Sequence, residues 1–223
     1  VRLNLMNSQT KENYLKSIYF LSKKNKEISL TELSDLMNVS KPTANNMIKK
    51  LTLIGWVSYE KYKPILLTDK GEKEASLIVR KHRLSEIFLS KIMGFGWEEV
   101  HDIAEDMEHL KSEKLFDRMN ELLGFPKVDP HGSPIPNKSG EIYEEIYINF
   151  SKIEVGNNVR LCALENSSKE LLVYLNNKNI RLGTELYIKD IESFDNSVIV
   201  NYEGYKSVTL SFDVIKNFLV EKI

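Results

Sequence analysis

Apolar side chains in the first third of the chain recur at helical spacing. Tyr14, Leu15, Ile18 and Leu21 mark the buried face of a helix over about residues 10–22. Ser29, with Glu32 three residues on, makes a capping box that opens a second helix, buried through Leu30, Leu33, Leu36 and Met37. Asn38-Val39-Ser40 is a short turn. Ser40 caps a third helix from Lys41 to about Leu53, with Pro42 in the first turn, where its missing N–H costs nothing, and Gly55 at the end. The pattern then shortens to two strands, about residues 56–60 and 65–68, joined through Lys61-Tyr62-Lys63-Pro64 as a hairpin with a basic, aromatic tip. Helical spacing returns in a long segment opened by Asp69 and Glu72 and broken by Gly94 and Gly96. Two more helices follow, one after Trp97 and one over about residues 112–123, the last ended by Gly124.

Four of the six prolines fall in residues 126–136, together with Gly132, and Gly140 follows, which is the composition of a linker. Beyond it the period moves toward two, with strands predicted at about residues 159–164, 185–191, 197–202 and 207–212. One helix at about 168–177 interrupts them, and Glu203-Gly204 is a hairpin turn. A small, partly open β-barrel fits this pattern best. The expected fold is mainly α with β, divided into a winged helix-turn-helix at 6–70, a helical domain at 71–125, a linker at 126–145 and a barrel at 146–223.

With 42% hydrophobic and 28% charged residues in 223, the chain has an ordinary balance for a protein with a proper core. Its single cysteine, Cys162, excludes an internal disulfide, and its apolar run VRLCAL suggests a small buried side chain. No stretch has the ~18 apolar residues of a membrane span and no signal-peptide pattern opens the chain, so a cytoplasmic protein is expected. The net charge of −1 hides an asymmetry. Residues 1–63 hold eleven Lys/Arg against five Asp/Glu (+6), residues 64–125 nine against thirteen (−4), and residues 126–223 eleven against fourteen (−3). A basic first third fits phosphate and an acidic middle fits cations.

The candidate chemistry follows that division. In VHDIAEDMEHL, His101, Glu105, Glu108 and His109 fall at i, i+4, i+7 and i+8, on one helical stripe about 100° wide. Imidazole and carboxylate on one stripe suit a divalent transition metal, although a solvated charged face opposite Ile103, Ala104, Met107 and Leu110 is the blander alternative. His82 and Glu86, at i and i+4 in RKHRLSEIFL, supply a second such face. His131, among prolines, is expected to be an exposed loop residue. In the basic third, the helix opened by Ser40 would lie in a DNA major groove. Ser40, Pro42, Thr43, Asn45 and Asn46 would reach base edges there, and Lys41, Lys49, Lys61 and Lys63 would neutralise phosphates beside Tyr62 at the wing tip.

Taken together, RKHRL…E, VHD…E..EH and the HGSPIP linker resemble the DtxR/MntR family of metal-dependent transcriptional repressors over nearly the whole chain. The resemblance implies an SH3-like (FeoA-like) C-terminal barrel and a homodimer formed through about residues 98–123. It further implies metal-activated binding of a palindromic operator, in repression of metal-uptake genes, and no enzymatic activity. It assigns Glu105, Glu108 and His109 to a principal site with an oxygen from Asn13, and His82, Glu86 and His101 to a companion site. In the manganese-type branch, His82 and the two glutamates instead share a two-metal cluster, and both arrangements stay open. Three positions depart from the family pattern. Position 105 is Glu, as in the manganese branch, where the iron branch has Cys. Position 13 is Asn instead of Asp or Met, and position 16 is Lys where the manganese branch has a metal-binding Glu. Ser168 and Leu171 stand near positions where the iron-branch barrel lends ligands, and Glu165 or Glu170 is close enough in sequence to substitute. Exchanging thiolate for carboxylate favours Mn²⁺ over Fe²⁺. A metal-independent winged-helix regulator is the main alternative. A metal-dependent hydrolase is a weaker one, since neither HExxH nor another catalytic pattern is present.

Overall fold

The computed structural model describes residues 2–25, 27–61, 63–143 and 145–223, with backbone alone for residues 2–7. The first helix, α1 (Arg2–Lys24), starts well before Thr10 because no breaker precedes it. Ser29 caps α2 (Leu30–Leu36) through the predicted reciprocal box with Glu32, and the Ser40 side chain accepts from Thr43 N to cap α3 (Lys41–Leu53). Gly55, at φ +76°, turns the chain after α3. The wing is shorter than expected, with β1 (Val57–Ser58) antiparallel to β2 (Leu66–Leu67). Then come α4 (Asp69–Lys91), α5 (Val100–Met107) and α6 (Glu113–Leu122).

Two compact units emerge. Residues 1–85, 104–118 and 135–143 form the first, and residues 86–103, 119–134 and 144–223 the second. In the first, α1 serves two cores at once. Tyr14 and Ile18 pack with Leu33, Ile48, Leu51 and Ile65 of the helix-turn-helix and wing. Leu15 and Tyr19, one position further round the helix, pack against Ala75, Ile78 and Val79 of α4. Burying apolar surface on both faces fixes α1 between the helix-turn-helix and the long helix. The Arg80 guanidinium donates to Pro136 O (2.6 Å) and Ser76 Oγ to Gly140 O (2.6 Å), so the second half of the proline-rich stretch is bonded to α4.

The second unit holds a six-stranded antiparallel sheet. Its strands are β3 (Ile148–Asn149), β4 (Asn158–Leu164), β5 (Glu185–Ile191), β6 (Val198–Tyr202), β7 (Tyr205–Leu210) and β8 (Phe218–Lys222), in the order β3-β8-β4-β5-β6-β7. Register shifts in the β4–β8, β5–β6 and β6–β7 pairs bend it. Helix α7 (Lys169–Asn177), capped by Ser168, and α8 (Phe212–Ile215) complete it. Val159, Leu161, Leu186, Ile188, Val200, Phe218 and Val220 alternate inward to make the core. Glu203-Gly204 is the predicted hairpin turn between β6 and β7. The strands β3 and β8 are absent from the sequence prediction, and Cys162 is half-buried, not buried, with its thiol donating to Arg160 O (3.3 Å).

Candidate metal centre

In the first unit, Glu105, Glu108 and His109 of the acidic stripe meet α1. Helix α5 ends at Met107, one residue before Glu108, but Glu108 N still donates to Ala104 O (2.9 Å), so the helical turn carries Glu108 and His109 onward. Glu108 is fully buried. Its Oε2 accepts from His82 Nδ1–H on α4 (2.7 Å) and from Lys16 Nζ (2.8 Å). Its Oε1 lies 2.7 Å from Lys16 Nζ and 3.9 Å from His109 Nε2, yet no hydrogen bond of good geometry reaches it. Lys16 Nζ also donates to Glu105 Oε1 (2.5 Å). His109 Nδ1–H donates to Glu12 Oε2 (2.6 Å). Burial pushes the Glu12 carboxyl up, but the bonds from His109 and Ser8 and the nearby charges of His109 and Lys81 outweigh it. Its pKa therefore lies below the ordinary value.

The donor chemistry here fits a divalent ion. Ligand atoms of His82, Glu105 and Glu108 lie within 4.8 Å of one another, close to the span that one ion bridges with bonds of roughly 2.0–2.2 Å. With Glu12 bonded to Nδ1, Nε2 is the His109 nitrogen that faces Glu108 and would ligate a metal, the arrangement that orients metal-ligating histidines. Asn13 Oδ1, one residue from Glu12, is buried without a hydrogen-bond partner. Buried acceptors without donors are costly unless a cation or water satisfies them.

A second set lies in the other unit. Glu86, Asp129 and His131 are all buried, with ligand atoms within 4.8 Å of one another. His131 Nε2–H donates to Trp97 O (2.8 Å), which leaves Nδ1 facing Glu86 Oε2 at 3.8 Å. Asp129 Oδ1 accepts from the backbone of His131 (2.8 Å) and Ser133 (2.9 Å), which shapes the turn. His131 is therefore not the exposed loop residue expected from its prolines. His101, more than half exposed, approaches Glu86 Oε1 at 3.4 Å.

The basic side chains of α3 and the wing face solvent. Ser40, Lys41, Pro42, Thr43, Asn46 and Lys49 are exposed along α3 and Asn45 is half-buried, while Lys61 and Lys63 are exposed at the wing. Part of the hydroxyl capacity is committed, since Ser40 Oγ and Thr43 Oγ1 share a hydrogen bond (2.9 Å), and Lys63 pairs with Glu60 (2.5 Å). Tyr62 lies outside the described residues.

Residues 6–65 match the family model for the iron-dependent repressor N-terminal DNA-binding domain, and residues 68–137 that for the metal-binding and dimerisation domain. An uncharacterised HTH-type transcriptional regulator of Methanocaldococcus jannaschii is 39% identical over 113 residues, 50% of this chain and 90% of that protein. The chain belongs to the iron-dependent repressor family. Iron-dependent repressor IdeR of Mycobacterium tuberculosis is 33% identical over 127 residues, 57% of this chain and 55% of IdeR. Among solved structures, a manganese-dependent transcriptional repressor in complex with manganese superposes with a TM-score of 0.86 at 29% identity, over 95% of this chain and 99% of that one.

For this iron-dependent repressor family member, sequence spacing pointed to His82, Glu105, Glu108 and His109 but missed Glu12, which holds His109, and Asp129, which joins Glu86 and His131. The Glu-Asn pair at 12–13 and the Asp-x-His spacing at 129–131 were the available signals. Glu170 is not brought into either set. It stands exposed in the first turn of α7, where a carboxylate favours the positive end of the helix. Glu165 is exposed as well and accepts from Asn149 Nδ2 (3.3 Å).

Proposed function

We propose that this chain is a homodimeric transcriptional repressor whose binding to a palindromic operator is activated by a divalent metal, with Mn²⁺ preferred to Fe²⁺. The observation that carries the reading is the double duty of α1. One face belongs to the helix-turn-helix core and another packs on α4, while Glu12 and Lys16 reach the carboxylate and imidazole groups at the end of α5. Glu105, Glu108, His109 and His82 would hold the ion, with the buried Asn13 Oδ1 a neutral oxygen candidate on α1. Bound there, a divalent ion supplies two positive charges that offset Glu105 and Glu108 and tie the α5 turn to neighbouring helices. Glu12 orients His109, and the apolar faces of α1 transmit the position of that turn to α3. Because the two affinities are linked, operator DNA tightens metal binding by the factor with which metal tightens DNA binding.

Mn²⁺ is favoured because Glu105 offers a hard carboxylate oxygen where a thiolate would suit softer ions. Glu86, Asp129 and His131 make a second candidate site. On α6, Leu115 and Leu122, seven residues apart, are exposed along one face and suit a second copy of the chain.

The test is operator binding by metal-free protein titrated with Mn²⁺ and, anaerobically, with Fe²⁺. Activation by Mn²⁺ at the lower concentration supports the reading, and DNA binding indifferent to both metals sinks it. In the same assay, Asn46→Ala should cost about 1–3 kcal/mol on the cognate sequence and relax preference at one operator position. A sequence profile identical to the parent's would remove Asn46 from base readout. Glu12→Gln should weaken Mn²⁺ binding roughly ten- to a hundredfold, because His109 loses the carboxylate that sets its tautomer. Calorimetric titration checks this, and an unchanged affinity would leave Glu12 a structural partner only.

A further inference from the structure

We propose that Lys16 is an intrinsic competitor for the metal, so that a divalent ion enters the centre only by displacing the Lys16 ammonium from Glu105 and Glu108. The proposal rests on reading Glu105, Glu108 and His109 as ligands. Lys16 Nζ lies 2.5 Å from Glu105 Oε1, 2.7 Å from Glu108 Oε1 and 2.8 Å from Glu108 Oε2. It thus contacts three carboxylate oxygens of the centre. Its side chain is 12% exposed and that of Glu108 is fully buried, so solvent screens the two contacts with Glu108 little, while Glu105, 38% exposed, stays open to water. An ammonium is a compact point charge that occupies the lone pairs a metal ion needs, and a divalent ion beside it would be strongly repelled.

The charge balance points the same way. Glu105 and Glu108 carry two negative charges, the number that one divalent ion offsets. Adding an ion while Lys16 stays would set three positive charges against those two carboxylates beside the buried Glu108. The lysine stem is flexible and one edge of it meets solvent, so the ammonium has a route outward. The cross-link from α1 to the α5 turn therefore exists before metal arrives, and the metal has to exceed the lysine's hold. Lys16 raises the metal concentration at which the repressor responds.

A supporting structural role and a competing role predict opposite signs. In calorimetric titration of the metal-free full chain with Mn²⁺, Lys16→Met should bind at least about tenfold more tightly than the parent. Lys16→Arg, which keeps the charge, should bind less tightly than Lys16→Met. If Lys16→Met binds equally or more weakly, the proposal is overturned. A second measurement needs no variant. Acetylation of Lys16 by an amine-reactive reagent, read by peptide mass spectrometry, should accelerate when Mn²⁺ is added to the parent chain. Protection or no change on adding Mn²⁺ also overturns it, including where Lys16→Met fails to fold. Failure of the underlying reading has its own signature, since Glu108→Gln would then bind Mn²⁺ as the parent does. A parent that binds through Glu108 with unaltered affinity in Lys16→Met rejects the competitor role alone.

Discussion

Glu108→Gln removes the metal response of operator binding and lowers Mn²⁺ affinity by at least about a hundredfold, beyond the ten- to hundredfold typical of losing a group that only supports a ligand. Glu108 is the hub of the first-unit centre. It touches α1 through Lys16 and α4 through His82, with His109 Nε2 3.9 Å away, and its side chain is fully buried. The amide keeps the volume, so the surrounding packing has no cavity to collapse into. What changes is charge and donor character. One anionic oxygen pair is lost, and an NH₂ group is placed against His82 and Lys16, both of which already donate. Lys16 keeps Glu105 as a partner, so the thermal midpoint should fall by only a few degrees, about the effect of 1 kcal/mol in a domain of this size. Mn²⁺ calorimetry, operator binding with and without metal, and thermal unfolding followed by circular dichroism together check this. A variant that still tightens on operator with Mn²⁺ like the parent would move the ion away from Glu108.

What was legible in the sequence was local. Ser29 with Glu32, Ser40 and Gly55 act within one turn of themselves, so the helix-turn-helix could be delimited from neighbours alone. Spacing along α4 and α5 likewise marked His82, Glu105, Glu108 and His109, and the Glu108 N to Ala104 O bond preserves that spacing past the end of α5. Partners distant in the chain were not legible. Lys16 and Glu108 are 92 positions apart, and Glu12 and His109 are 97 apart, and nothing near either end specifies the other. Lys16 could be seen only as a charge subtracted from the site, not as the group that holds its carboxylates. His131 failed for a different reason. Prolines around it did signal irregular backbone, but Asp129 folds that backbone inward by accepting the N–H groups of His131 and Ser133. Strand β8 went unseen although Phe218 and Val220 alternate inward, because five residues near the end of the chain give a weak period.

Gly132→Ala should destabilise the second unit by about 2–5 kcal/mol and weaken metal binding at Glu86, Asp129 and His131. Two costs combine at this position. Its φ is +87°, a conformation that an L side chain resists. A Cβ there would also lie 2.4 Å from Cys162 O and 2.6 Å from Ala163 Cα, both backbone atoms of β4 that no rotamer change can move. Relief requires the turn to lift from the strand, which strains the bond from Leu164 N to His131 O (2.9 Å) and draws the imidazole from Glu86. Gly156→Ala is the matched control. Gly156 has the same φ of +87° but nothing within 4 Å of the added Cβ, so it carries the conformational cost without the overlap. The difference between the two variants in calorimetric unfolding isolates the collision with β4. In Mn²⁺ titration, Gly132→Ala should lose the class of site that Glu86→Gln also loses, while the class that depends on Glu108 persists. If Gly132→Ala costs no more stability than Gly156→Ala, the close packing of the turn on β4 is not what holds His131 in place.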